Sequence, residues 1–344
     1  MSNKNFENAL KRVNQSIPPI WFMRQAGRYH SHYQKLRKKY SFEQLCKTPE
    51  LATEVACGPI LDFDYDVAIL FSDILFPLEL FGLDLSYNPG PVFGNYLQPG
   101  DENKTISVDK IQEELSFQSE AMALTRKALP ENKSLVGFVG GPWTILSYGL
   151  NMKNEDKIDV PSIGDHVEKL LYDHLFPILK KNIEMQLNAG AEIVYIFDTN
   201  SVQLEERYFL DHYINKIKNE LFLTFEKKIA YFSKNQSFYH QEISKINDMR
   251  LAGVVYSGDI GFNDFLTTKR DFFVQGNFSP NSLLKPHDDY LHDFELFVDS
   301  LKSANMSQIS GYICSLNHGV LPKTPEENVR HFIGAIRNEF SLMD

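Results

Sequence analysis

Eight short runs of β-branched and aromatic residues recur along the whole chain, separated by longer segments with helical periodicity. The runs are residues 20–23, 67–71, 135–139, 193–197, 229–232, 253–256, 272–275 and 311–316. Helical candidates between them include 50–61, 111–128, 166–188, 205–221, 241–249 and 288–303. A last helix is signed by Thr324 as N-cap, Pro325 at its first position and Glu327 three residues after the cap, with a periodic run to Phe340. Eight strands alternating with helices predict an α/β fold, a (β/α)8 TIM barrel rather than an open sheet. Residues 84–104, rich in Pro, Gly and Asn, read as a loop or hairpin insertion after the second strand. With no internal repeat or linker, residues 1–344 are expected to form a single barrel domain, a size that barrel enzymes reach.

The net charge of −10 argues against a nucleic-acid or anionic-membrane partner. It also makes any local cluster of arginines more telling, because an anionic ligand must be captured against the global field. Cys46, Cys57 and Cys314 are scattered and offer neither a disulfide framework nor a zinc ribbon, which points to a reducing compartment. Residues 1–15 are polar, and the most apolar stretch, 66–85, is cut by Asp73 and Glu79. A soluble, cytoplasmic protein is expected.

Catalytic groups in a barrel gather at the C-terminal ends of its strands. The first strand runs into Arg24-Gln25-Ala26-Gly27-Arg28, two arginines around a small Ala-Gly step. Each guanidinium is a permanently charged fork matched to carboxylate or phosphate, so the pair suits an anion with several acid groups; two solvated surface arginines are the bland alternative. The second strand delivers Asp73 between two apolar runs, where a carboxylate must meet a cation or donors or else become neutral. An N-cap or an arginine's structural partner would satisfy the same spacing.

Further strand ends carry Gly140-Gly141-Pro142-Trp143 with Tyr148 a turn on, then Asp198-Thr199-Asn200-Ser201, Gln275-Gly276-Asn277 and Asn317-His318-Gly319. Glycines let backbone approach a ligand, while Trp143 and Tyr148 supply flat faces, although an aromatic pair at this spacing also suits a core. The Asp198 cluster could donate hydrogen bonds or simply form an Asx turn. His318 is a plausible acid–base or donor group, or an idle loop histidine. Cys314 four residues before it lacks further thiol or imidazole partners, so no metal site is expected.

Residues 19–29, with Pro18 ahead of them, closely resemble the N-terminal signature of uroporphyrinogen decarboxylases. The resemblance runs from about Pro18 to Arg337, through residues 69–75, 140–148, 275–277, 317–319 and Thr324-Pro325. It implies cofactor-free decarboxylation of the four acetate side chains of uroporphyrinogen III to methyls, giving coproporphyrinogen III in haem biosynthesis. It further implies that Arg24 and Arg28 bind substrate carboxylates, with Gln25, Ala26 and Gly27 lining the pocket. Asp73 would be the catalytic aspartate that also holds substrate, with Tyr148, Thr199 and His318 as further contacts; Thr199 stands where many members carry serine. A homodimer with facing clefts is implied as well. Asn200-Ser201-Val202 and Tyr256-Ser257-Gly258 depart from the family pattern. Two rivals exist: a cobamide-dependent methyltransferase, which needs a His/Cys zinc set absent from this sequence, and a non-catalytic tetrapyrrole-binding protein, which has no use for the Asp73 charge.

Overall fold

A computed structural model describes residues 2–258, 260–304 and 310–341. In chain order the strands are β1 (Val67–Ile69), β2 (Leu85–Tyr87), β3 (Pro91–Phe93), β4 (Ser134–Gly140), β5 (Val194–Asp198), β6 (Ile229–Ser233), β7 (Gly253–Val255), β8 (Phe273–Phe278) and β9 (Tyr312–Leu316). Seven of them form one parallel sheet in the order β1-β4-β5-β6-β7-β8-β9. Neighbours in the sheet follow one another along the chain with helices in between, the arrangement the alternating pattern predicts. The remaining two, β2 and β3, make an antiparallel hairpin within residues 84–104.

The first expected strand is not a regular one. Within residues 20–23 only Ile20 forms a bridge, in parallel with Cys314. Pro18 and Pro19 carry no amide hydrogen to donate into a ladder, and at Phe22 the chain already turns away. The segment nevertheless spans the gap between the two outer strands of the sheet. Cys314 N–H donates to the Pro19 carbonyl at 2.9 Å, and Asp66 N–H donates to the Ile20 carbonyl at 3.0 Å. The Ile20 amide in turn donates to Asp66 Oδ2 at 2.8 Å.

Inside the sheet a polar chain is closed on itself. Tyr195 Oη donates to Gln275 Oε1 (2.8 Å), Gln275 Nε2 donates to Ser315 Oγ (3.2 Å), and Ser315 Oγ donates to the Trp21 carbonyl (2.7 Å). The Trp21 ring meets Tyr195 edge-on at 4.9 Å. Each of these buried links is satisfied, so the network locks β5, β8, β9 and the residue 19–23 segment in one arrangement.

Two helices are less regular than their periodicity predicts. The segment 166–188 passes through a widened π-helical turn, Leu170–Leu175, before the helix Phe176–Asn188. Pro177 supplies the reason, since it cannot donate to the turn before it. The segment 205–221 is broken by similar turns at Phe209–Tyr213 and Lys218–Phe222, with no proline to account for them. The last helix, Glu326–Ser341, lacks its expected cap: the Thr324 hydroxyl is buried without a hydrogen-bond partner. Glu326 instead accepts from the Ser31 amide at 2.6 Å, tying the helix start to the segment that follows the arginine loop.

Candidate active site

The arginine loop is held from beneath by Gln25. Its side chain is buried, donating to the Val67 carbonyl at 2.9 Å and accepting from the Phe22 amide at 3.3 Å, while the Gln25 carbonyl accepts from Tyr29 Oη at 2.8 Å. Gln25 therefore holds the loop in place through its buried side chain. Arg24 has φ +61°, a left-handed conformation that costs an ordinary side chain about 1–2 kcal/mol. Gly27 is required here, because a Cβ on it would lie 2.9 Å from the Arg24 carbonyl oxygen. The outcome is that Arg24 and Arg28 are exposed with half-buried Ala26 and Gly27 between them. Neither guanidinium is engaged in an ion pair among the described residues.

Arg24, Asp73, Tyr148 and His318 share one electrostatic neighbourhood. Burial pushes the Asp73 carboxyl above the usual range, opposed by the Leu75 amide (2.9 Å to Oδ1), the Tyr87 hydroxyl and the Arg24 charge. Burial raises the Tyr148 phenol too, and the negative charge of Asp73 adds to this while Arg24 opposes it. His318 is pushed down to about 4, first by burial and then by the charges of Lys234 and Arg24. At neutral pH it is an uncharged ring, a donor and acceptor rather than a cation. Thr199 lies half-buried just after β5, and no hydrogen bond joins it to this group among the described residues.

The glycines after β4 serve a different purpose from the one their sequence suggests. A Cβ on Gly141 would stand 2.1 Å from the Asp198 carboxyl carbon, and one on Gly140 would strike Ile145 and Ile74. What approaches the backbone is Asp198, not a ligand. Its carboxylate is fully buried and accepts from Thr144 Oγ1 (2.8 Å), Thr144 N (3.3 Å), Tyr213 Oη (2.7 Å) and Tyr231 Oη (3.0 Å). Trp143 is likewise core, its indole N–H on Gln203 Oε1 at 3.2 Å. This knot anchors the start of the helix Pro142–Gly149, which carries Tyr148.

Beside His318 a cleft of about 520 Å³ opens at the ends of β6 to β9, lined among others by Lys234, Tyr256, Asn277 and Asn317. Three site residues escape sequence reasoning. Tyr87 comes from the hairpin, and its hydroxyl lies beside the Asp73 carboxyl. The Lys153 ammonium stands 5.2 Å from the centre of the Tyr148 ring, and Lys234 lines one cleft with His318. A loop insertion and lone lysines carry no pattern that would have marked them. The mouth is thus cationic on a chain whose net charge is −10.

Among the described residues no group of three or more His, Cys, Asp and Glu side chains is placed to hold a metal ion, and no helix is long and apolar enough to cross a membrane.

Comparison with known proteins gives one consistent result. The family model described as uroporphyrinogen decarboxylase matches residues 1–339. A uroporphyrinogen decarboxylase of Orientia tsutsugamushi is 35% identical, with 97% of this chain and 98% of that relative covered. One of Citrifermentans bemidjiense is 33% identical, with 92% and 93% covered. Among solved structures, a methyltransferase from Methanosarcina mazei superposes with a TM-score of 0.75 over 98% of each chain. At 18% identity that likeness speaks for the fold alone.

Proposed function

The chain belongs to the uroporphyrinogen decarboxylase family, and on that premise we propose how its strand-end site works. It removes the four acetate carboxyls of uroporphyrinogen III as CO2 and leaves methyls, giving coproporphyrinogen III for haem synthesis. The observation that carries this reading is the juxtaposition of a half-buried, poorly solvated carboxyl, Asp73, with the exposed Arg24, which makes no ion pair among the described residues. A protein that merely held a polyanion would gain nothing from a carboxylate there.

Loss of CO2 needs a place for the electron pair of the breaking C–C bond. A proton added to the pyrrole carbon beside the acetate turns the ring into an iminium-like sink. The pair flows into the ring as CO2 departs, the exocyclic carbon then takes a proton to become methyl, and the ring gives its added proton back. The substrate supplies its own sink, so no cofactor enters the scheme. Asp73, accepting from pyrrole N–H groups, stabilises the positive charge that develops on the ring, an effect worth about 3–4 kcal/mol for one well-placed group. Arg24 and Arg28 bind acid side chains and fix which acetate lies over Asp73; their main value is orientation. Ala26 and Gly27 line the gap between them, Gln25 supports it from below, and Thr199, Tyr148 and neutral His318 offer further polar contacts.

The catalytic unit is one domain with a hairpin insertion, and the residue 19–23 segment acts as an eighth strand that closes a (β/α)8 barrel. Its hydrogen bonds to both outer strands favour that closure. The three free cysteines favour a reducing, cytoplasmic setting. A homodimer follows family analogy alone.

The deciding experiment is anaerobic incubation with uroporphyrinogen III, then oxidation and chromatography. Porphyrins with seven down to four carboxyls are expected, unaffected by exhaustive chelation. Recovery of uroporphyrin alone would refute the activity, and chelation loss reversed by one specific metal would refute the cofactor-free scheme.

A further inference from the structure

We propose that Lys234 is a second carboxylate anchor, in the same cleft as His318, which takes an acid side chain of the tetrapyrrole that the arginine loop does not reach. The proposal rests on the substrate class argued above. Lys234 directly follows β6, and both of its neighbours are locked in place. Ser233 Oγ hydrogen-bonds Ser201 Oγ (2.7 Å) and accepts from Asn235 N (2.9 Å), while Asn235 Nδ2 donates to the Ser201 carbonyl (2.9 Å). Asn235 also caps the next helix through the Ser237 amide at 3.1 Å. An exposed lysine between two buried, hydrogen-bonded residues is held at a fixed place on the rim.

That place is functional in its chemistry. Lys234 lines the same cleft of about 520 Å³ as His318 and Asn317, and it makes no ion pair among the described residues. Its charge bears on the His318 ring, and so does that of Arg24, whose alkyl stem packs on the adjacent Gly319. A neutral donor near two cations that make no ion pair among the described residues is a receptor for carboxylate. Acid groups ring the whole macrocycle, and the two arginines sit at one strand end only. A cation at the β6 end holds the far side and prevents the ring from pivoting about the arginines.

The test uses the full-length enzyme with Lys234→Met and Lys234→Arg. Binding of oxidised uroporphyrin, which cannot react, is followed by fluorescence, and turnover of uroporphyrinogen III is measured in parallel. Lys234→Met is expected to weaken uroporphyrin binding and raise KM by about tenfold or more, the scale of one charge-assisted contact. It should lower kcat by less than it raises KM and leave the melting temperature unchanged, and Lys234→Arg should recover most of the affinity. Unchanged binding in Lys234→Met overturns the proposal. So does a loss of kcat at constant KM, or affinity lost only together with a lowered melting temperature in both variants. Lys234-dependent binding by a wild-type enzyme that releases no CO2 would keep the anchor and remove the decarboxylase reading. No binding by the wild type removes both.

Discussion

The alkyl stem of Arg24 lies across the α-carbon of Gly319: a methyl group built there would come within 2.6 Å of Arg24 Cδ and 2.8 Å of Cγ. Residue 319 is thus the floor on which the first arginine rests, although nearly three hundred residues separate them. Since Arg24 is exposed and its side chain has room to shift, Gly319→Ala is expected to fold normally but to push the guanidinium off its course. KM should rise about as much as in Arg24→Ala, with the melting temperature within a few degrees of wild type. A wild-type KM would show that the arginine is not held by this contact.

Asp73→Asn separates activity from stability. Asparagine keeps an acceptor for the Leu75 amide but removes the charge, so turnover should fall at least a hundredfold, the scale of one electrostatic catalytic group. The stability effect has the opposite sign. Burial raises the folded-state pKa of Asp73, so the native state resists ionisation more than the unfolded chain does. That contribution favours the fold below the unfolded pKa and is lost as pH rises through the folded one. The variant should therefore melt higher than wild type at neutral pH and converge with it in acid. Calorimetry across pH, beside the turnover assay, tests both halves.

For the arginines the geometry of the charge matters. Arg24→Ala and Arg28→Ala should each raise KM and also lower kcat, because a misoriented acetate reacts more slowly. Lysine at either site is expected to rescue only in part, lacking the planar fork. The left-handed backbone at residue 24 adds a check: Arg24→Gly should be about 0.5–1 kcal/mol more stable than Arg24→Ala and no more active. Full rescue by lysine at both sites would reduce the pair to a diffuse positive field.

His318 is expected to act uncharged. With its pKa pushed down to about 4, it stays neutral above about pH 5. His318→Asn, which still donates and accepts, should keep activity within about tenfold, whereas His318→Leu should lose more, a buried polar contact being worth about 1–3 kcal/mol. A histidine NMR titration with a midpoint near 6.5 would contradict this environment.

The alternation of strands and helices was legible because burial on a sheet and on a helix impose different periods. The first strand is irregular for a chemical reason: prolines 18 and 19 cannot donate, so around Ile20 only a single bridge forms and no full ladder. Arg24, Asp73 and His318 were readable as charged or polar residues at strand ends. Tyr87 was not, since its role depends on where the hairpin folds over Asp73, a long-range fact with no local pattern. The Gly140-Gly141 step misled in the other direction, because a glycine shows only that something comes close, not whether it is a ligand or Asp198.

The seam between residues 19–23 and β9 also orders the assembly in time. During synthesis the arginine loop emerges first, yet the partners of Pro19 and Trp21, which are Cys314 and Ser315, emerge nearly three hundred residues later. Contacts of such sequence separation carry a large loop-closure cost and form late. The nascent chain therefore exposes Arg24 long before its floor at Gly319 exists, and the arginine loop takes its final place only once residues 314–319 have been made.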